Sequence, residues 1–233
     1  MHVFFTTDVS DSNIMLDPEE SKHASRVLRL VAGDEVLVLD GKGNSYVCRI
    51  SNHEKSGTRL EIISKSQVPE RSQKIKIAVA PTKSSDRLEW FVEKATELGF
   101  DQLIPVICSR SEKRKLNTER LRKITIAACK QSRNPWLPEI LEPISMDRLL
   151  ETVKPGLIAH CVEDGKTYIH DLDFDSNEAV SVLIGPEGDF TLAEIQTAIS
   201  KGWKPISLGS NRLRTETAAL HALSSIILKL KGR

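Results

Sequence analysis

With 233 residues, 39% of them hydrophobic and 28% charged, the chain is long enough for one large domain or two modest ones and has the composition of a soluble globular protein. Lys and Arg number 33 and Asp and Glu 32, so net charge alone points to no nucleic-acid partner. No apolar run is long enough to cross a bilayer, and no basic segment followed by an apolar core and cleavage site opens the chain. The expectation is a cytoplasmic protein with no membrane partner. The four cysteines, Cys48, Cys108, Cys129 and Cys161, form no Cys-x-x-Cys pair. That argues against a disulfide framework and against a metal site, and leaves buried free thiols as the expectation.

Residues 1–70 read as a small β-rich unit. His2 to Phe5 is an apolar first strand. Asp17-Pro18-Glu19-Glu20 starts a helix, with an N-cap, a proline at the first helical position and an acid to close the box. The helix should run to about Leu30, with Gly33 beyond it. Ala24, Val27, Leu28 and Val31 form its apolar face, and Lys22, Arg26 and Arg29 share another at i, i+4 and i+7. Ordinary helix solubility accounts for such a row. Strands are expected at 35–39, 45–50 and 59–63, with turns at Asp40–Gly43 and around Ser56-Gly57. Short strands joined by glycine turns suggest a small barrel. Ser64 to Lys74 is polar, contains Pro69 and reads as a linker, which places a second domain at 74–233.

Beyond the linker, strands and helices alternate. Strands are expected at 75–80, 103–107 and 157–162, and helices at 87–98 and 119–132. The first of these helices should be capped by Ser85 or Asp86 and stopped by Gly99. Such alternation argues for a mostly parallel sheet covered by helices on both faces. Charge is unevenly spread here. From Ser109 to Arg133 nine Lys and Arg face two Glu, and from Glu163 to Glu178 six acids face Lys166 alone. A basic stripe in a neutral protein can be an electrostatic footprint for phosphate, but on charge alone a solvated helix face with a charged loop before it is the better account.

The last part of the chain holds two strand-to-helix junctions. Val180–Ile184 is a buried-strand run followed by Gly185-Pro186-Glu187-Gly188-Asp189. Thr191 and Glu194 then make a capping box, and Phe190 and Ile195 a hydrophobic staple. That helix should end near Lys201, with Gly202 as its stop. Next, Ile206 and Leu208 close a strand, Gly209 turns the chain, and Thr215 is the expected N-cap of a final helix carrying Glu216 in its first turn. Ligands bind outside the carboxyl ends of strands in open α/β sheets. The usual nucleotide fingerprints, Gly-x-Gly-x-x-Gly and the P-loop, are absent. His221, inside the final helix, gives poor support to a Ser-His-Asp hydrolase.

Leu-Ile-Gly-Pro-Glu-Gly (183–188) and Leu-Gly-x-x-x-Leu-Arg-Thr-Glu-Thr-Ala (208–218) resemble the signature of the RsmE family, and the middle of the chain agrees at Lys83, Arg87, Glu89, Glu93 to Gly99 and Gln131 to Asn134. The resemblance covers nearly the whole chain. The family usually has Gly where Asp189 stands and Arg where Asn211 stands. The resemblance implies a SPOUT-class methyltransferase that uses S-adenosyl-L-methionine to methylate N3 of a 16S rRNA uridine, at position 1498, in the small ribosomal subunit. It also implies a PUA-like RNA-binding barrel at the N-terminus, a deep trefoil knot near 180–220, and a homodimer. The apolar arc of the final helix, Ala218, Ala219, Ala222, Leu223, Ile226 and Ile227, is wide enough to suggest a two-fold interface as well.

The chemistry assigns roles to named residues. A donor pocket is expected from Leu183, Ile184, Gly185, Glu187, Gly188, Leu208, Gly209, Leu213, Thr215, Thr217 and Ala218, with apolar flanks for an adenine and glycine backbone for close hydrogen bonds. Uridine N3 keeps a proton and is a poor nucleophile until it leaves, so a base or an anion-stabilising cation must sit beside it. Arg214 is the candidate cation, and Glu187 and Glu216 are candidate bases; Arg214 and Glu216 pairing with each other is the competing account. The reactive edge is hidden in a duplex, so the uridine must be unpaired or flipped out. RNA phosphates could meet Lys22, Arg26, Arg29, Arg110, Lys113, Arg114, Lys115 and Arg133, contacts that position without reading sequence. The rival functions are a non-catalytic RNA-binding protein and a related enzyme acting on tRNA or on a ribose hydroxyl.

Overall fold

A computed structural model describes residues 1–10, 12–54, 57–162, 165–175 and 178–231, with nothing of the Lys231 side chain. Ser56 of the expected turn, and Glu163 and Asp164 of the acidic run, lie outside the described residues. The chain divides into two units: 1–70 with 126–137, and 71–125 with 138–233.

The first unit is built on a five-stranded sheet in the order β1-β3-β4-β5-β2. Its strands are β1 (His2–Phe5), β2 (Asn13–Met15), β3 (Glu35–Leu39), β4 (Asn44–Glu54) and β5 (Gly57–Gln67). Alternation in β3 and β4 sends Val36, Val38, Tyr46, Cys48 and Ile50 inward against Phe4, Ile14, Leu16 and Leu60. β5 extends to Gln67, so the linker is shorter than its polar composition suggests. Residues 126–137 complete the unit. Gly43 N–H donates to the Pro135 carbonyl (2.9 Å), Leu137 N–H to the Gly41 carbonyl (3.1 Å) and Trp136 Nε1 to the Val68 carbonyl (3.2 Å). At Gly43, with φ 89°, a Cβ would lie 2.4 Å from the Trp136 ring, so only glycine fits.

Helix α1 (Pro18–Lys22) starts as expected, with the Asp17 carboxylate accepting from Glu20 N–H. It does not continue to Leu30. A π-helical turn, His23–Val27, replaces it, with Leu28 N–H bonded to the His23 carbonyl and Leu30 N–H to that of Ala24. Arg29 follows in left-handed backbone at φ 55°. Lys22, Arg26 and Arg29 are all exposed but are not a regular helical row.

The second unit carries an all-parallel sheet in the order β11-β13-β10-β12-β6-β7-β8, with β9 paired to β7. The strands are β6 (Ile75–Val79), β7 (Gln102–Ile107), β8 (Glu139–Ile140), β9 (Ile144–Ser145), β10 (Leu157–Ala159), β11 (Thr167–Tyr168), β12 (Val180–Ile184) and β13 (Lys204–Ser207). All of β12 is buried, as a central parallel strand requires. The helices are α2 (Ser85–Leu98), α3 (Thr118–Ser132, of which only the part up to Thr125 belongs to this unit), α4 (Met146–Thr152), α5 (Leu192–Ser200) and α6 (Thr215–Lys231). One face of the sheet packs Leu88, Phe91 and Val92 of α2, Leu121 of α3 and Ala222, Leu223 and Ile226 of α6. The other packs Leu149 of α4, Ile195 and Ala198 of α5, and Trp203.

Two local expectations are corrected. Helix α2 is capped at Ser84, with Gly99 in left-handed backbone at its end. Most of the apolar arc of α6 is already covered: Ala219, Ala222, Leu223 and Ile226 are fully buried and Ile227 is 8% exposed. The arc therefore supplies no reason for a second copy. Among the described residues no helix is long and apolar enough to cross a membrane, and no group of three His, Cys, Asp or Glu could hold a metal ion. Burial pushes the thiols of Cys48, Cys108 and Cys129 up to about 12, while Cys161 is exposed.

Candidate active site

Because the strands are parallel, β13, β10, β12, β6 and β7 end side by side at one edge. The turn after β12, together with the start of α5, is hydrogen-bonded to the loops after the other four. Thr215 Oγ1, after β13, donates to the Gly185 carbonyl (3.0 Å). Cys161 N–H, after β10, donates to Asp189 Oδ2 (2.9 Å), and Lys83 N–H, after β6, to Glu187 Oε1 (2.9 Å). After β7, Ser109 N–H donates to Glu194 Oε1 (2.7 Å), and Arg110 Nη1 donates to the carbonyls of Gly188 (2.8 Å) and Phe190 (3.2 Å). The two motif loops are thus directly tied, and three further loops brace one of them.

Thr215 is not the N-cap of α6. The Arg214 carbonyl accepts the first helical bond, from Ala218 N–H at 2.7 Å. The Thr215 hydroxyl, buried, reaches across to the other loop instead. At the start of α5 both halves of the capping box form, and Phe190 and Ile195 share one core cluster. Burial of the Glu194 carboxyl opposes ionisation, but the bonds it accepts from Ser109 and Thr191 outweigh this and hold it below the usual carboxylate range.

Asp189 takes the left-handed backbone that a family glycine would occupy, at φ 59°. Its carboxylate helps hold it there, with Oδ2 accepting from Cys161 N–H and Oδ1 from Phe190 N–H at 2.8 Å. Asn211, the other departure, is exposed.

The loops suit a donor with an apolar base and polar edges. Leu183, Ile184 and Gly185 are buried below the edge; Leu208, Leu213 and Ala218 are half-buried beside it; Gly188 and Thr217 are exposed. Among the described residues, the N–H groups of Glu187 and Gly188 donate to no protein acceptor, and 208–213 make no backbone-to-backbone hydrogen bond. Gly209, at φ 112°, has nothing within 4 Å of where a Cβ would stand. Free backbone groups beside apolar walls are what close recognition of a nucleoside needs.

The charged candidates separate. Arg214 is exposed and its guanidinium has no hydrogen bond or ion pair among the described residues. Glu216 is 7% exposed; its Oε1 lies 3.9 Å from Arg87 Nε and its Oε2 has no hydrogen-bond partner among the described residues. Arg214 and Glu216 therefore do not pair. Glu187 is exposed at the mouth of the edge. In the basic stripe, Arg120 makes a two-pronged bond to Glu89 (2.6 and 2.7 Å), Arg122 bonds Glu142, Lys130 bonds Glu20 and Lys113 bonds Ser85 Oγ. Arg114, Lys115 and Arg133 are exposed without a side-chain partner among the described residues.

His160, just past β10, escaped the sequence reading. It stands level with Gly185 and Ser207 in the strand register and is 9% exposed. Neither ring nitrogen makes a hydrogen bond of good geometry, although the Val162 backbone lies near enough to favour the charged form slightly. Burial is the main cause that lowers its pKa; Lys166 adds to this and Asp189 opposes it. In the window from about 6.5 down to the lower folded value, the unfolded chain binds the extra proton, so stability falls as pH falls. His160→Leu should remove a slope of at most about 1.4 kcal/mol per pH unit there. Urea melts across about pH 5–8 would test it; an unchanged slope assigns the dependence to other groups.

A family model described as an RNA methyltransferase domain matches residues 69–227, and one described as an RNA methyltransferase PUA domain matches residues 16–63. Ribosomal RNA small subunit methyltransferase E of Aquifex aeolicus is 30% identical over 97% of this chain and 99% of its own. A crystal structure of a probable rRNA-methyltransferase from Porphyromonas gingivalis aligns over 100% of both chains at 34% identity, with a TM-score of 0.90. Ribosomal RNA small subunit methyltransferase E from Neisseria gonorrhoeae, solved bound to S-adenosyl methionine, aligns over 97% of this chain and 96% of its own at 27% identity, with a TM-score of 0.87. Matched over nearly its whole length by such relatives, and with both signature loops tied together at one sheet edge, the chain belongs to the RsmE family of small-subunit ribosomal RNA methyltransferases.

Proposed function

We propose that the carboxyl edge of the parallel sheet is where this chain methylates N3 of a uridine in 16S rRNA, with S-adenosyl-L-methionine as donor. Family membership makes the chain a donor-dependent RNA methyltransferase; the uridine at position 1498 follows the family. The observation that supports the site is the Thr215–Gly185 bond, which joins the two motif loops at one edge of the sheet. The donor supplies an electrophilic methyl group. The loops hold it by Gly185, Gly188, Gly209 and their apolar flanks, and the edge must exclude water and align N3 with that methyl. Arg214 stabilises the uracil anion as the proton leaves. Glu187, exposed at the mouth, is the better base; Glu216, buried against Arg87, shapes the start of α6.

Lys22, Arg26, Arg29, Arg114, Lys115 and Arg133 are the proposed phosphate contacts, with 1–70 as the RNA-binding part and 74–233 as the methyltransferase. A cytoplasmic location, a homodimer and the trefoil knot near 180–220 complete the proposal on family grounds. The knot is compatible with the sheet order, since β12 and β13 flank β10.

Nucleoside mass spectrometry of 16S rRNA from cells with and without the gene tests the reaction. Loss of N3-methyluridine without the gene, restored by the natural sequence, is the expected result. A change confined to a ribose methyl or to tRNA would replace the substrate, and no change in any methylated nucleoside would favour a non-catalytic RNA binder.

A further inference from the structure

Arg110 belongs by sequence to the basic stripe, yet its geometry differs from that of its neighbours. Its guanidinium Nη1 donates to two carbonyls of one short turn, Gly188 (2.8 Å) and Phe190 (3.2 Å). Its aliphatic stem lies over Gly188, where a Cβ would meet Arg110 Cβ at 3.5 Å. The corner that carries it is itself fixed. Cys108 N–H donates to Ser111 Oγ (2.9 Å), Ser111 N–H to the Cys108 carbonyl (3.1 Å) and Ser109 N–H to Glu194 Oε1 (2.7 Å). Of two adjacent residues of the β7 loop, Arg110 therefore grips the carbonyls of the turn and Ser109 anchors the loop to the Glu194 side chain of α5.

That grip decides what the turn offers a ligand. With the Gly188 and Phe190 carbonyls held by Arg110, that of Gly185 by Thr215, and that of Pro186 by Asp189 N–H at 2.9 Å, the turn keeps four of its carbonyls on protein partners. Among the described residues, the N–H groups of Glu187 and Gly188 stay free. We infer that Arg110 is a positioning residue for the methyl donor, acting through the 185–190 turn, rather than a phosphate contact for RNA. A cation donating two hydrogen bonds to carbonyls is stronger than a neutral donor, and a fixed turn lowers the ordering cost of binding.

This inference rests on the reading of 185–190 as part of the donor site, so donor binding by the unmodified protein is the first measurement. Calorimetry with S-adenosylmethionine should show binding by the natural chain; its absence would overturn that reading itself. Given that binding, Arg110→Ala should weaken it about 10- to 100-fold, and Arg110→Lys, which keeps the charge but not the planar guanidinium, should be intermediate. Affinity for a 16S rRNA fragment without donor should change less than about twofold in both, whereas Arg114→Ala should lower that affinity and leave donor binding alone. In turnover, Arg110→Ala should raise KM for the donor and leave kcat within about threefold. Equal donor affinity in Arg110→Ala and the natural chain, or RNA affinity lost in Arg110→Ala and kept in Arg110→Lys, would overturn the inference. Arg110 is exposed, and thermal melts of both variants establish that they are folded.

Discussion

Arg214→Ala should lower methyl transfer about 100- to 1000-fold, the usual effect of removing one group that stabilises developing negative charge, while donor affinity changes by less than about threefold. The expectation follows from what Arg214 does not do in the fold. Its guanidinium has no side-chain partner among the described residues, and only its backbone carbonyl is used, as the first acceptor of α6. Glu216, the carboxylate nearest in sequence, is turned inward toward Arg87 at 3.9 Å and does not neutralise it. Alanine at 214 should therefore cost less than about 0.5 kcal/mol of stability, and lost activity can be read as lost chemistry. Turnover and catalytic efficiency should fall together, because the interaction is made as the uracil anion develops. A methyl on N3 blocks the Watson–Crick edge, so a reverse transcriptase stop reports the product in cells. The natural sequence should restore that stop to cells lacking the gene, Arg212→Ala should restore it at least in part, and Arg214→Ala should not. A full stop from Arg214→Ala would leave Arg214 a loop residue and move attention to Glu187.

What was legible in the sequence was what is decided locally. The run Val180–Ile184 is strand β12 residue for residue, the Thr191–Glu194 box closes, and Gly99 and Gly202 take positive φ at 94° and 91° where helices stop. These features depend on neighbours within a turn or on burial of a whole strand. Features that depend on distant partners were not legible. Thr215 has an N-cap's composition, but its hydroxyl finds the Gly185 carbonyl thirty residues away. The basic stripe looks uniform in sequence, although Arg120, Arg122, Lys130 and Lys113 have protein partners and Arg114 and Lys115 have none among the described residues. Nothing near Trp136 signals that 126–137 joins the first unit, since its partners, Gly41, Gly43 and Val68, lie far upstream. The π turn at His23–Val27 breaks a row that helical periodicity alone would keep. The apolar arc of α6 looked excessive because the sequence does not show that α2 and α3 share the same face of the sheet.

The second large effect is expected at Gly185, for a steric reason that can be reversed elsewhere. Gly185 sits level with His160 where β12 ends, and a Cβ built on it would lie 2.9 Å from the Phe190 ring. Phe190 is 2% exposed and packed among the residues around α5, so the ring cannot swing into solvent without opening that core. Gly185→Ala should therefore displace the turn, strain the Thr215–Gly185 bond and abolish measurable donor binding, at a stability cost of about 1–3 kcal/mol for overpacking. Phe190→Leu removes the obstructing ring edge, and in combination with Gly185→Ala it should recover part of both losses. The double-mutant cycle should then show a favourable coupling of about 0.5–3 kcal/mol. Gly209→Ala is the contrast. No atom lies within 4 Å of its Cβ position, but its φ of 112° is one that L residues avoid, so its cost of about 1–3 kcal/mol is backbone strain that no neighbouring substitution relieves. Melting curves and donor calorimetry on the four proteins of the cycle and on Gly209→Ala would check both claims. Failure of Phe190→Leu to recover either stability or binding in the Gly185→Ala background would show that the ring is not the obstacle.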